Sequence, residues 1–279
     1  MMEKKSKQNK YKILGLTIAL FAFRITPVLA VSETNHVNAV FVYDIRTEKT
    51  LLERNEEAQL PIASITKLVT ALSALELFGR EAQIEILPGA LEVEGDSGLV
   101  PGEKWKVSDL VSFMLINSSN DAARALELAW GPNGKFVQAM NQGVTYMELS
   151  QTYFLNSTGL DISPTLAGAY SSARDINALM VTFNSLYPDI IIDTTLIEKE
   201  FWSDKYKHIA NNTNQYTRNM LGLLGSKTGS TDLAKANLTI MFDSEIERPV
   251  IVTVLGSNIE NRFSDMFSII DDTLKLLNR

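Results

Sequence analysis

Apolar positions recur along this chain with two different periods, and the change between them divides it. From Asn38 to Tyr43, Val40 and Val42 alternate with Phe41 and Tyr43, the period-two pattern of a half-buried strand. Asp44 to Glu48 supplies turn chemistry, and Thr50 to Glu53 can return as a second strand, giving a hairpin. After Pro61 the period lengthens: Ile65, Leu68, Val69, Leu72 and Leu75 share a helical face until Gly79 stops them. Residues 81 to 106 read as loops and short strands, punctuated by Gly95, Gly98, Pro101 and Gly102. Ser108 is placed to cap a helix carrying Leu110, Val111, Met114 and Leu115, and a further helical run from Ala122 to Ala129 breaks at Gly131-Pro132. Phe136, Met140 and Met147 predict another helix. Ser172 with Asp175 has the layout of a capping box ahead of Ile176, Leu179, Met180 and Phe183.

Residues 64 to 186 are therefore mainly helical, after which the short period returns. Strands are expected at Ser226 to Ser230, Asn237 to Phe242 and Val250 to Leu255, the last two joined by an acidic turn at Asp243 to Glu247. Met266, Ile270, Leu274 and Leu277 then form one helical stripe. The expected fold is α/β, with an antiparallel sheet built from both chain ends, flanked by helices, and a mainly helical middle region. No internal repeat is visible.

The first thirty residues follow a different logic. Lys4, Lys5, Lys7, Lys10 and Lys12 precede an apolar run from Ile13 to Phe23, and a second run ends in Val28-Leu29-Ala30, the layout of a secretory signal. Arg24 interrupts the stretch, which is short for a membrane span. Cleavage after Ala30 is the favoured expectation and an uncleaved N-terminal anchor the alternative; either places residues 31 to 279 on the outer face of the cytoplasmic membrane. Those residues carry 20 basic against 32 acidic side chains, a net charge of −12 compared with −7 for the whole chain. Such a surface repels nucleic acid. There is no cysteine, and His36 and His208 stand far apart outside any zinc-binding spacing, so no metal or other cofactor is expected.

Three short islands carry candidate chemistry: Ser64-Ile65-Thr66-Lys67, Ser118-Ser119-Asn120 and Lys227-Thr228-Gly229. On a helix, positions i and i+3 share a face, so Lys67 can take the proton that makes Ser64 a nucleophile. Each island also has a plain structural reading. Ser64 can be an N-cap with Lys67 a solvated neighbour, although a lysine in a first helical turn opposes the helix dipole. The second island can be a helix-to-helix connection and the third a strand.

In their order and separation the islands resemble the penicillin-recognising serine hydrolases, most closely the low-molecular-mass D-alanyl-D-alanine carboxypeptidases. Pro61 to Lys67 is similar to that family's nucleophile motif, Pro101-Gly102-Glu103-Lys104 running to Ser118 to Ala123 to its second motif, and Gly225 to Thr231 to its third. The resemblance covers about residues 37 to 277 and implies the serine β-lactamase and D,D-peptidase fold, with residues 31 to 279 as one catalytic domain. It implies that Ser64 attacks the carbonyl between the last two D-alanines of a peptidoglycan stem peptide, that Lys67 is the base, and that Ser118 relays a proton. Asn120, Lys227 and Thr228 would bind substrate, and the backbone N–H groups of Ser64 and Ser230 would form the oxyanion hole. Gly229 would keep the substrate's approach clear. Arg262 resembles the family's second carboxylate-binding cation, with an ordinary surface arginine as the alternative. β-Lactams would then be inhibitors that acylate Ser64.

The chain departs from the family pattern in three places. Ser119 stands where glycine is usual, which bears on substrate fit near Asn120. Ser230 occupies a position where larger residues are common. The chain also ends where many relatives continue into a β-rich domain and an amphipathic membrane anchor, so that tethering would fall to residues 13 to 30. Two rivals share the three islands: a class A-like β-lactamase and an inactive cell-wall-binding homologue. The lactamase needs a deacylating glutamate four residues before an asparagine, and four residues before Asn156 stands Thr152. A Ser-His-Asp esterase would need a histidine in reach of the serine, and neither histidine lies in such a motif.

Overall fold

The computed structural model describes residues 36–277. The expected signal or anchor segment, residues 1–30, lies outside them.

Strand β1 (Ala39–Asp44) pairs antiparallel with β2 (Lys49–Arg54), so the expected hairpin forms. Every residue of β1 is buried, however, so the strand is not half-buried. Its alternation separates two apolar faces. Phe41 and Tyr43 join the larger core, while Val40 and Val42 join a second core on the other side of the sheet.

From β3 (Leu60–Pro61) the chain passes through a tight 3-10 turn, Ala63–Thr66, into α1 (Lys67–Phe78), which Gly79 ends with φ +82°. The short strands β4 (Gln83–Glu85) and β5 (Lys104–Lys106) pair with each other across an irregular loop. Helices α2 (Val107–Asn117), α3 (Asn120–Trp130) and α4 (Lys135–Tyr146) follow. Ser108 does not cap α2: the extended residue at its start is Lys106, with no side-chain cap, and Ser108 lies within the helix, its N–H donated to the Arg80 carbonyl at 3.1 Å.

β6 (Tyr153–Phe154) and β7 (Ala169–Ser171) complete a small sheet with β3. They lead to α5 (Ala173–Leu186) and α6 (Pro188–Ile191). Ser172 caps α5 by accepting from the Asp175 N–H at 3.1 Å. The reciprocal half of the capping box is absent, because the Asp175 carboxylate accepts instead from the Gln151 N–H and the Thr152 hydroxyl, at 2.9 and 2.7 Å.

A second hairpin, β8 (Glu198–Trp202) with β9 (Lys207–Asn211), precedes the final strands β10 (Leu223–Thr231), β11 (Lys235–Asp243) and β12 (Pro249–Ser257) and the closing helix α7 (Arg262–Leu277). The main sheet has the order β10-β11-β12-β1-β2, antiparallel throughout, so both ends of the described chain share it as expected. Helix α5 packs on one face and α7 on the other. This topology leaves β10 at an edge, against the Ala63–Thr66 turn and the helical region.

Candidate active site

All three islands meet where β10 borders the helical region. Ser64 sits in the turn that opens α1, and its neighbour Ala63 holds φ +49°, an unusual conformation for a residue with a Cβ. The Ala63 carbonyl accepts from the Thr66 hydroxyl at 2.6 Å. Gly159 packs against that carbonyl from outside the turn: at φ +80°, a Cβ there would lie 2.0 Å from the Ala63 oxygen. The turn that carries Ser64 is thus wedged from two sides.

Lys67 is fully buried, and its Nζ has three oxygens around it: Ser64 Oγ and Asn120 Oδ1 at 2.7 Å and the Thr158 carbonyl at 2.8 Å. No carboxylate is among them. Burial, and secondarily the positive charge of Lys227, push the Lys67 amine well below the ordinary lysine range.

Ser118 is the C-terminal residue after α2, in the left-handed conformation at φ +63°, and its Oγ accepts from Lys227 Nζ at 2.9 Å. Ser119 is the N-cap of α3: its buried hydroxyl accepts from the Ala122 N–H at 3.0 Å. Where glycine is usual, this serine therefore directs its side chain into the helix end. Asn120, the first residue of α3, reaches Lys67 with its oxygen and donates its amide to the Glu94 carbonyl at 2.8 Å.

On β10, Lys227 and Thr228 are buried and Ser230 is exposed. Lys227 also donates to the Thr228 carbonyl at 2.9 Å, and burial first, then Arg262, lower it to about 7. The Thr228 hydroxyl pairs with that of Thr213 at 2.6 Å. A Cβ on Gly229 would lie 2.7 Å from the Ile62 carbonyl and 3.1 Å from the Ser64 nitrogen. Close approach of β10 to the Ser64 turn thus requires glycine here. Arg262 Nη1 reaches the Gly229 carbonyl at 3.4 Å, its buried Nε has no hydrogen-bond partner, and burial lowers it. Neither Lys227 nor Arg262 forms an ion pair among the described residues. Two basic side chains near the edge strand are therefore without a carboxylate partner among the described residues.

The Thr158 and Glu94 carbonyls and Thr213 were not singled out from sequence. The first two act through the backbone, and Thr213 lies in a polar stretch, Asn211 to Asn214, that reads as an ordinary turn. A signal does exist for the Thr158 loop. Asn156 with Gly159 is turn chemistry, and the Asn156 oxygen accepts from the Thr158 and Gly159 N–H groups at 3.2 and 2.7 Å. Thr152, at the lactamase glutamate position, spends its hydroxyl on Asp175 and Ser171. His208 is paired with buried Glu103 at 2.8 Å, so it is not the base of a serine–histidine site.

A sheet with helices on both faces and a serine–lysine pair at its edge define the class of penicillin-recognising serine hydrolases. Residues 28–258 match the family model described as D-alanyl-D-alanine carboxypeptidase, and the chain belongs to that family. It is 29% identical over 276 residues to the D-alanyl-D-alanine carboxypeptidase DacF of Bacillus subtilis, an alignment covering 93% of this chain and 68% of that one. It is 31% identical over 210 residues to a D-alanyl-D-alanine endopeptidase of Pseudomonas aeruginosa, covering 72% of this chain and 63% of that one. The chain thus spans about two thirds of the length of these curated relatives. Among solved structures, penicillin-binding protein D2 of Listeria monocytogenes with ampicillin bound aligns at a TM-score of 0.74 and 27% identity, over 89% of this chain and 99% of that one.

Proposed function

We propose that this protein is a serine-type D-alanyl-D-alanine carboxypeptidase that removes the terminal D-alanine from peptidoglycan stem peptides and is acylated at Ser64 by penicillins. The observation that carries this reading is the buried Lys67 amine 2.7 Å from Ser64 Oγ, with no carboxylate to keep it charged. A neutral amine has two N–H donors and one lone pair. Asn120 Oδ1 and the Thr158 carbonyl can only accept, so they take both N–H groups and leave the lone pair facing the Ser64 hydroxyl. Lys67 then removes the proton as Ser64 attacks the carbonyl of the penultimate D-alanine.

The terminal carboxylate binds between Lys227, Arg262 and the Thr228 hydroxyl; the unpaired charge of Arg262 supports this role over that of an ordinary surface arginine. Ser118, hydrogen-bonded to Lys227, passes a proton to the leaving amine. The N–H groups of Ser64 and Ser230 hold the oxyanion, a reading supported by the close approach of Gly229 to the Ser64 nitrogen. Asn120 orients the substrate amide, and water hydrolyses the acyl-enzyme.

The relatives act on D-alanyl-D-alanine ends by name, and a relative's structure holds ampicillin. A substrate of that kind places the protein's work outside the cytoplasmic membrane. Among the described residues, no helix is long and apolar enough to cross a membrane. The β-lactamase reading is not favoured, since Thr152 supplies no base and its hydroxyl is engaged elsewhere.

The test is incubation of the protein with a peptide ending in D-Ala-D-Ala and, separately, with a fluorescent penicillin. D-Alanine release with a long-lived adduct is expected. Rapid penicillin hydrolysis would instead identify a lactamase, and neither activity an inactive wall-binding protein. Lys67→Ala is expected to slow acylation by about 10²- to 10⁴-fold with the circular dichroism spectrum unchanged.

A further inference from the structure

The segment that supplies the Thr158 carbonyl and the Gly159 wedge continues into Asp161, which reaches the main sheet. Its carboxylate accepts from the Thr231 hydroxyl at 2.9 Å with one oxygen and from the Leu233 N–H at 3.1 Å with the other. Thr231 is the last residue of β10, and its hydroxyl oxygen accepts in turn from the Ala234 N–H at 3.1 Å. A hydroxyl has one hydrogen and a carboxylate only accepts, so that hydrogen goes to Asp161. Asp161 therefore holds the end of β10 and the turn that follows it at once.

The brace falls where β10 is least supported. This strand lies at the edge of the main sheet, with β11 as its one strand neighbour. Ser230, whose N–H is read above as half of the oxyanion hole, is exposed and directly precedes Thr231. On one side of Ser230, Gly229 packs against the Ser64 turn, and on the other Thr231 is tied to Asp161. Asp161 is itself presented from a fixed segment: Asn156 donates to the Leu160 carbonyl at 2.9 Å, and Gly159, two residues earlier, is wedged against the Ala63 carbonyl. One short segment thus sets the position of the nucleophile turn and of the strand that faces it.

We propose that Asp161 is a positioning residue for the oxyanion hole: acting through Thr231, it fixes the Ser230 N–H relative to Ser64. This rests on the carboxypeptidase reading above and deepens it. A donor of this kind works only within about 2.7–3.1 Å of the oxygen that gains charge in the transition state. Loosening the end of β10 therefore weakens an interaction made during acylation, and leaves the binding that precedes it in place.

The test uses full-length protein, benzylpenicillin and a boronic acid, whose tetrahedral adduct on Ser64 sets an oxygen where the oxyanion forms. Stopped-flow labelling separates the penicillin dissociation constant from the acylation rate constant, and titration gives the boronate affinity. Asp161→Ala is expected to lower the acylation rate constant about tenfold or more and the boronate affinity by the same factor, with the penicillin dissociation constant within about twofold. Thr231→Val, which removes the contact from the other side, should repeat the pattern, and Thr231→Ser should restore both quantities to within about threefold. The pH at which acylation falls on the acid side should stay in place, because that limb reports Lys67. A loss shared with the dissociation constant, a displaced acid limb, or unchanged rates in both Asp161→Ala and Thr231→Val overturns the proposal. The first marks general loosening and the second an effect on the base through Thr158. If Asp161→Ala does not fold, Thr231→Val against Thr231→Ser decides, since both keep the bond from Leu233 to Asp161. If the unaltered protein releases no D-alanine from a peptide ending in D-Ala-D-Ala, the carboxypeptidase reading fails alone, and the penicillin and boronate comparisons still confirm or overturn the role of Asp161. A Ser64 that takes neither reagent overturns both.

Discussion

Lys67 and Lys227 are both fully buried amines, and the proposed function gives them opposite tasks. Burial, and secondarily the charge of Lys227, lowers Lys67 well below the ordinary lysine range, which favours the neutral amine that the proposed base role needs. Lys227 is lowered only to about 7, and a carboxylate bound beside it, as proposed, would favour its charged form. This arrangement has a consequence for stability. Free lysine in the unfolded chain titrates near 10.5, so between about 7 and 10.5 the unfolded chain binds a proton that folded Lys227 has released. Stability therefore rises with pH across that window. Below about 7 both states are protonated and the full penalty of the buried cation applies. Denaturant melts from pH 6 to 9.5 should show this rise, and Lys227→Met should reduce it while raising stability most at the acid end. A rise of equal size in the variant would contradict the assignment of a depressed Lys227.

Among the elements, the loop from Asn156 to Leu160 links fold and site. Asn156 gathers it from within, accepting from the Thr158 and Gly159 N–H groups and donating to the Leu160 carbonyl at 2.9 Å. Helix α1 then holds two successive carbonyls of the loop: Thr70 donates to that of Ser157 at 2.7 Å and Lys67 to that of Thr158 at 2.8 Å. Gly159, wedged against Ala63, transmits the position of the loop to the nucleophile turn. Gly159→Ala should cost on the order of 1–3 kcal/mol in backbone strain alone. It should also slow acylation by about 10²-fold by displacing the Ser64 turn. Melting and penicillin-labelling rates check the two effects separately. Helices with long apolar periods were legible in the sequence because burial imposes that period. The β8–β9 hairpin was not, because only Phe201, His208 and Ala210 are buried in it, among charged and exposed aromatic positions. Ser108 misled for a local reason: the preceding strand delivers the chain to α2 through an extended Lys106, leaving the serine no end to cap.

At the scale of the whole molecule, the site exists because a sheet made from both ends of the chain sets its edge strand against the start of α1 and the α2–α3 connection. The three islands lie far apart in sequence and converge only through that topology. Their side chains were readable in advance because nucleophilic chemistry demands particular residue types at fixed spacing. The backbone contributions were not, since any residue supplies a carbonyl and only the folded loop decides which one faces Lys67. The same topology explains Ser119, whose hydroxyl is taken up by the end of α3. The central claim is that Ser64 is the acylated residue and Lys67 its base. Its most direct measurement is peptide mapping by mass spectrometry after brief reaction with penicillin, on the unaltered protein and on Lys67→Ala. The account predicts one penicilloyl group per chain, on the peptide carrying Ser64, and none in the variant on the same timescale. Modification at another residue, or equally rapid labelling of Lys67→Ala, would contradict it.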